Sequence, residues 1–182
     1  MAQFTSKYEH QLDSKSRLIL PSRFRAAFDT PKGAVLTAGN EGCLALWLPD
    51  DWLPVAIELA KQFRKGNRRA RNKVRWLFSV TTDQTLDAQG RIPISKDQRE
   101  FALLSLESTA IVHGNFGQVE IWSQRRWDEQ VEPSAAEFRD NVGTADDPDL
   151  LSHEPSILDS FPDPDGSDPS DPSDRPTPPS EA

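Results

Sequence analysis

One cysteine, Cys43, is all that 182 residues contain. An internal disulfide is therefore excluded, the chain suits a reducing compartment, and a lone small apolar residue of this kind is expected in the core. Histidines are scarce too: His10, His113 and His153 are scattered without ligand-like spacing, so no zinc-site pattern exists. Neither a glycine-rich phosphate loop nor a nucleophile elbow occurs. The expectation is a protein that is not an enzyme, with no cofactor, no metal and no small-molecule substrate. No apolar run approaches the roughly 18 residues needed to cross a bilayer, and MAQFTSKYEH lacks the apolar centre of a signal peptide. A cytoplasmic protein without a membrane partner is expected.

Apolar residues make up only 36% of the chain, low for a fully packed globule of this length. The deficit is local. Residues 1–139 hold 20 of the 21 Lys and Arg and 17 of the 29 Asp and Glu, net +3, whereas residues 140–182 hold one base and 12 acids, net -11, with 9 of the 15 prolines. This last segment has too little apolar surface to offset the entropy of ordering it. We read 140–182 as a disordered acidic Pro-rich tail, either a solvated appendage or a linked polyanion that competes for a basic surface. The overall charge of -8 thus conceals a mildly basic folded part.

That part repeats itself. At an offset of 74, Leu12, Asp13, Arg17, Leu18, Leu20 and Arg25 match Leu86, Asp87, Arg91, Ile92, Ile94 and Arg99. At 75, Val35, Gly39, Gly42, Leu46, Trp47 and Trp52 match Ala110, Gly114, Gly117, Ile121, Trp122 and Trp127. Two copies of one unit therefore cover nearly all of residues 4–132. In each, a strand enters a turn (Tyr8 to Leu12, Val80 to Leu86) and a short strand leaves it (RLIL, RIPI). A short helix follows; Ser95 with Gln98 forms a capping-box pattern, and Pro21 and Ser22 mark the equivalent start. Two more strands come next, AVLTA with CLALW and TAIVHG with VEIW, before a helix from about Asp50 or about Ser123. The first of these helices carries Trp52, Val55, Leu59 and Phe63 on one stripe. After Gly66 and an Asn67 cap, a further helix should turn Ala70, Val74, Leu77 and Phe78 inward. The tryptophan pairs belong to the core of each copy. The expected division is 4–65, first unit; 66–79, basic connecting helix; 80–132, second unit; 140–182, tail.

Two features carry charge. The run KQFRKGNRRARNKVR has eight Lys or Arg from Lys61 to Arg75 and no acid; it reads as a phosphate-holding patch, a surface for an acidic neighbour, or a solvated helix face. The turns LDSKSR and LDAQGR are more specific. Asp13 and Asp87 can bond backbone amides and orient the turn, while Lys15 and Arg17 project from its tip or flank. An Asp13–Arg17 pair would hold the guanidinium in one direction, suited to a phosphate or a guanine edge; the same pair would equally serve to stabilise the hairpin.

The doubled D-x-x-x-R turn (DSKSR and DAQGR), with LDSKSRLILPSRFR, GCLALW and VEIW followed by RRW, resembles the MraZ family of bacterial transcriptional regulators. The resemblance covers about residues 4–132. It implies a β-rich α+β fold of two tandem AbrB-like swapped-hairpin units, forming a pseudo-twofold barrel with peripheral helices, and assembly into a homo-oligomer ring. It further implies sequence-specific binding of double-stranded DNA at promoter direct repeats ahead of the cell division and cell-wall operon, and association with the nucleoid. By position, Asp13 and Arg17 fill the first motif and Asp87 and Arg91 the second; Arg17 is the expected principal DNA contact, with Lys15 beside it and Arg23 and Arg91 in support. Ser16 departs from the family's usual glycine, so the positive φ supplied there is expected to be absent or strained. Pro93 and Ser95 stand where an apolar residue and a proline are common. An oligomeric nucleoid-associated or protein-binding scaffold is the alternative.

Overall fold

The computed structural model describes residues 3–141. Eight strands and six helices follow in order: β1 (Lys7–Gln11), β2 (Arg17–Ile19), α1 (Ser22–Phe28), β3 (Ala34–Ala38), β4 (Leu44–Trp47), α2 (Pro49–Lys65), α3 (Arg68–Ser79), β5 (Thr82–Gln84), β6 (Arg91–Pro93), α4 (Lys96–Phe101), β7 (Thr109–Asn115), β8 (Gln118–Ser123), α5 (Gln124–Gln130) and α6 (Ser134–Asn141). This is a β-rich α+β fold with antiparallel pairing throughout its named ladders. Residues 140 and 141, the first two of the expected tail, end α6; the rest of that segment lies outside the described residues.

The two copies build each other's sheets. Strand order is β1-β7-β8-β4-β3-β5 in the larger sheet and β2-β6 in the smaller. Exchanging the copies turns β1 into β5, β7 into β3 and β8 into β4, and reproduces the same order. Thus β1 of the first copy lies on β7 of the second, and β5 of the second on β3 of the first. At the centre, Leu44 pairs with Ile121 and Leu46 with Val119, which are one pairing seen from the two copies. The small sheet obeys the same rule, with Leu18 opposite Ile92.

Period-2 alternation explains how the larger sheet is covered on both faces. Leu44, Leu46, Val119, Ile121, Ala110 and Val112 face the principal core, together with Leu18, Leu20, Ile92 and Ile94 from the small sheet and its flanks. Phe4, Phe24 and Phe28 close that core: Phe4 stacks on Phe28 at 5.2 Å and meets Phe24 edge-on at 5.6 Å. The intervening residues face elsewhere. Cys43, Ile111, Trp122 and Trp127 form a second cluster under α5, and Ala38, Leu59, Leu77 and Val80 a third under α2 and α3.

Local signals in the sequence act where they stand. Ser95 and Gln98 form a reciprocal capping box at α4, and the Asn67 side chain accepts from the Ala70 amide at 2.9 Å to start α3. The tryptophans pair within each copy, Trp47 with Trp52 at 6.0 Å and Trp122 with Trp127 at 6.1 Å, but only the second pair is fully buried. Phe78 corrects the expected inward stripe of α3. It is 39% exposed, because successive helical residues diverge by about 100° and Leu77 takes the inward direction; Phe78 meets only the edge of Trp52, at 6.5 Å.

Alternation along VEIW also conceals a buried charge. Glu120 is 8% exposed, standing where the first copy has Ala45. Its carboxylate accepts from Asn115 Nδ2 (2.7 Å), Gln118 Nε2 (3.1 Å) and Trp122 Nε1 (3.0 Å), with His113 Nδ1 at 3.8 Å. Burial alone would raise its pKa. The contacts with His113, Asn115 and Trp122 outweigh burial and hold it below the ordinary glutamate value.

Two outcomes are expected. Leu18→Ala or Ile92→Ala, at fully buried central positions, should each cost about 2 to 5 kcal/mol in urea unfolding. Glu120→Gln should cost about 1 to 3 kcal/mol at pH 7. Because the Glu120 pKa is depressed in the folded state, its contribution is complete above the unfolded value near 4.5 and is lost as pH falls through the lower folded value. The gap between parent and Glu120→Gln should therefore narrow below that pH. A constant gap from pH 7 to 3 would contradict the assignment.

Candidate nucleic-acid interface

Pairing of β2 with β6 sets the two repeated turns side by side. Each is closed by the same bonds. Asp13 N donates to Arg17 O at 2.9 Å and Ser16 N to Asp13 O at 2.9 Å; Asp87 N donates to Arg91 O at 3.0 Å and Gly90 N to Asp87 O at 2.8 Å. Each turn is also tied to the other copy, by Leu20 N to Gly90 O at 2.9 Å and Ile94 N to Ser16 O at 2.8 Å. Within the first turn the direct strand contact is a single bridge, Leu12 to Leu18. The two-stranded ribbon at this place is consequently β2 with β6, one strand from each copy, rather than a hairpin of one copy.

The aspartates orient the turns. Asp13 Oδ1 accepts from the amides of Lys15 and Arg17, both at 2.9 Å, and Oδ2 takes the Arg17 guanidinium through Nε (2.8 Å) and Nη2 (2.7 Å). Asp87 repeats this with the amides of Gln89 (2.9 Å) and Arg91 (3.0 Å) and with Arg91 Nε and Nη2, both at 2.8 Å. The pairs also face each other: Arg17 Nη1 is 3.8 Å from Asp87 Oδ2, and Arg91 Nη1 is 3.8 Å from Asp13 Oδ2. Two acids and two bases thus form a cluster of net charge zero. For Asp13, the Arg17 side-chain bond is the chief cause of a lowered pKa. For Asp87, partial burial pulls upward but the bonds from Arg91 prevail, and its pKa is lowered as well.

This geometry changes the expected picture of projecting arginines. Arg17 and Arg91 fold back on their own aspartates, with side chains 28% and 23% exposed, and leave chiefly their Nη edges for another partner. Lys15 is exposed at the first turn. Its repeat equivalent is Gln89, so the turns differ by one charge. Arg23 is exposed on α1, outside the four-residue cluster. The structure therefore brings Asp13, Arg17, Asp87 and Arg91 together, sets Lys15 beside them, and leaves Arg23 apart.

A contribution from Arg25 had no signal beyond its match to Arg99. Gly90 has φ +74, and a Cβ there would lie 2.5 Å from Arg25 Cδ. Glycine thus lets Arg25 cross the second turn, where its Nε donates to Leu20 O at 2.6 Å. At the equivalent place Ser16 does adopt the positive φ, at 60°, so the conformation is kept with a side chain that disfavours it. Its Cβ occupies the space that Arg25 uses over Gly90. Arg99 Nε, at the repeat position of Arg25, is buried with no hydrogen-bond partner among the described residues.

Comparison with protein families finds a match to the model described as "MraZ protein, putative antitoxin-like", over residues 3–73 and again over residues 77–148. The two matched stretches correspond to the two copies of the repeat.

Ser16→Gly should raise stability by about 1 kcal/mol, through relief of the left-handed conformation less the entropy glycine adds to the unfolded chain. It should also open the route by which Arg99 reaches Ile94 O. Gly90→Ser should destabilise by more than that gain, since Arg25 must move. Urea midpoints for both variants check the pair; a destabilised Ser16→Gly would refute the account of the turn.

Proposed function

The chain belongs to the MraZ family, a family of DNA-binding regulators, and from that premise we propose that it is a sequence-specific transcriptional regulator that binds direct repeats in its own promoter, ahead of the cell division and cell-wall operon. The observation that supports this most is the β2–β6 pairing, which gathers both copies of the D-x-x-x-R turn into one surface. Arg17 makes the principal contact through its outward Nη edge, Lys15 meets phosphate beside it, and Arg91 and Arg23 support them. The aspartates fix each guanidinium before binding, so little side-chain entropy is lost at contact. In this reading the two AbrB-like units wrap one core as a pseudo-twofold barrel.

A ring of such chains would add avidity across successive repeats. Two grooves related by the repeat favour head-to-tail contact. One, of about 720 Å³, is lined by Leu103, Ser105, Ser123 and Arg125 among others; the other, of about 550 Å³, is lined by Thr30, Leu48 and Asp50. Asp50 and Arg125 occupy the same repeat position with opposite charge, each already paired within the chain, with Lys32 at 2.7 Å and with Glu129 at 2.8 Å. Contact between unlike faces generates rings when the rotation closes.

Binding to the protein's own upstream DNA at about 0.15 M salt, with unrelated DNA left free, tests the reading. Arg17→Ala should weaken operator binding by about 1 to 3 kcal/mol per engaged turn. Arg17→Lys should keep non-specific binding but lose discrimination, since an ammonium lacks the planar fork. Operator binding unchanged in a folded Arg17→Ala protein would sink the assignment. Light scattering should give several multiples of 20.4 kDa; Arg125→Glu should lower that mass, and the added change Asp50→Arg should restore it.

A further inference from the structure

The basic run from Lys61 to Arg75 is not absorbed by the paired turns. It occupies the end of α2 and most of α3, which pack on each other as a helical hairpin. Helix stability accounts for only part of it: Arg64 and Lys65 suit the C-terminal end of α2, but the bases of α3 have no such role. The first turn of α3 contains Arg68 and Arg69 and no acid, the unfavourable sign at a helix N-terminus. Exposed residues line up at helical spacing: Leu53, Ile57, Lys61 and Lys65 along α2, and Arg68, Arg75 and Phe78 along α3. Of these cations, Lys61 is paired with Glu58 at 3.0 Å and Arg75 lies over the Phe63 ring at 5.2 Å; Lys65 and Arg68 make no ion pair among the described residues. Leu53, Ile57 and Phe78 are 58%, 48% and 39% exposed. A surface of this kind fits a partner that is acidic and apolar at once, and a phosphate backbone covers only its charges.

The sequence contains such a segment. DDPDLLSHEPSILDSF, Asp146 to Phe161, has five acids, five large apolar residues and neither Lys nor Arg. α6 ends at Asn141, and the 20 residues from 142 to 161 can reach about 70 Å, more than the roughly 40 Å diameter of a domain this size. We propose that residues 146–161 dock on the outer face of the α2–α3 hairpin, in the same chain or in an adjacent copy, with the carboxylates on the Lys61–Arg75 cations and the apolar side chains over Ile57 and Phe78. The docked segment shields the most basic surface of the protein from non-specific nucleic acid.

Zero-length carbodiimide cross-linking of the full chain, with peptide mapping, tests this without DNA and independently of operator recognition. Lys61 and Lys65 should join carboxylates between Asp146 and Asp159, less so at high salt, where charge pairing is screened. A full-length variant with Asp146, Asp147, Asp149 and Asp159 changed to Asn and Glu154 to Gln should lose these cross-links and bind random duplex about tenfold more tightly at low salt. Changing Lys61, Lys65, Arg68 and Arg75 to Gln in that variant should abolish the gain. Absence of the cross-links overturns the proposal. So does unchanged duplex affinity in the tail variant: if the helix substitutions alone then weaken duplex binding, nucleic acid is the occupant of the hairpin.

Discussion

Strand exchange between the two halves is the constraint from which the rest of the fold follows. Neither copy completes a sheet by itself: β1 finds its partner in β7, β5 in β3, and β2 in β6. Backbone amides buried without partners are costly, so each half is stable only while the other supplies its strands. The cores follow the same logic. Leu18 from one copy and Ile92 from the other occupy equivalent places in a single apolar cluster, and removing either half would expose it. The chain behaves as a dimer whose subunits have been joined by α2 and α3.

Much of this was legible in the residues. The 74- and 75-residue offsets identified the two copies, and Ser95, Gln98 and Asn67 marked helix starts that the structure contains. Those signals are local, acting within one turn of their own position. Strand exchange is not local: period-2 alternation says that a strand has a buried face, but not which chain segment lies beside it. Resemblance to a family implied the swap, and the pairing registers supply it for these residues. Glu120 was illegible for a related reason. VEIW reads as a half-exposed strand, and only the packing of Trp122 and Trp127 under α5 reveals that its polar residue is enclosed. Phe78 failed in the opposite sense, as an apolar residue beside the inward stripe rather than within it.

The charges divide into two regimes. At the paired turns they cancel, and two carboxylates hold two guanidinium groups at a partly exposed surface. On the α2–α3 hairpin they accumulate without cancelling, producing a field rather than a geometry. Sequence reading found both clusters, because Lys, Arg and Asp are visible wherever they stand. It could not separate the regimes, since the cross-turn approach of Arg17 to Asp87 and of Arg91 to Asp13 depends on the β2–β6 ladder.

Ser16 and Gly90 are the same place in two copies, yet Ser16 holds the left-handed conformation with a side chain that disfavours it, while Gly90 holds it freely and leaves room for Arg25 to reach Leu20 O. An object with a perfect twofold axis cannot tell left from right along a line that crosses that axis. This chain can. Lys15 against Gln89 and Ser16 against Gly90 give the paired-turn surface a heading, so the two ways of laying it along any linear lattice differ in energy. A lattice with an arrow can be sensed only by a surface that has lost its symmetry somewhere. At the paired turns the loss lies in neighbouring residues, Lys15 and Ser16 of the first against Gln89 and Gly90 of the second.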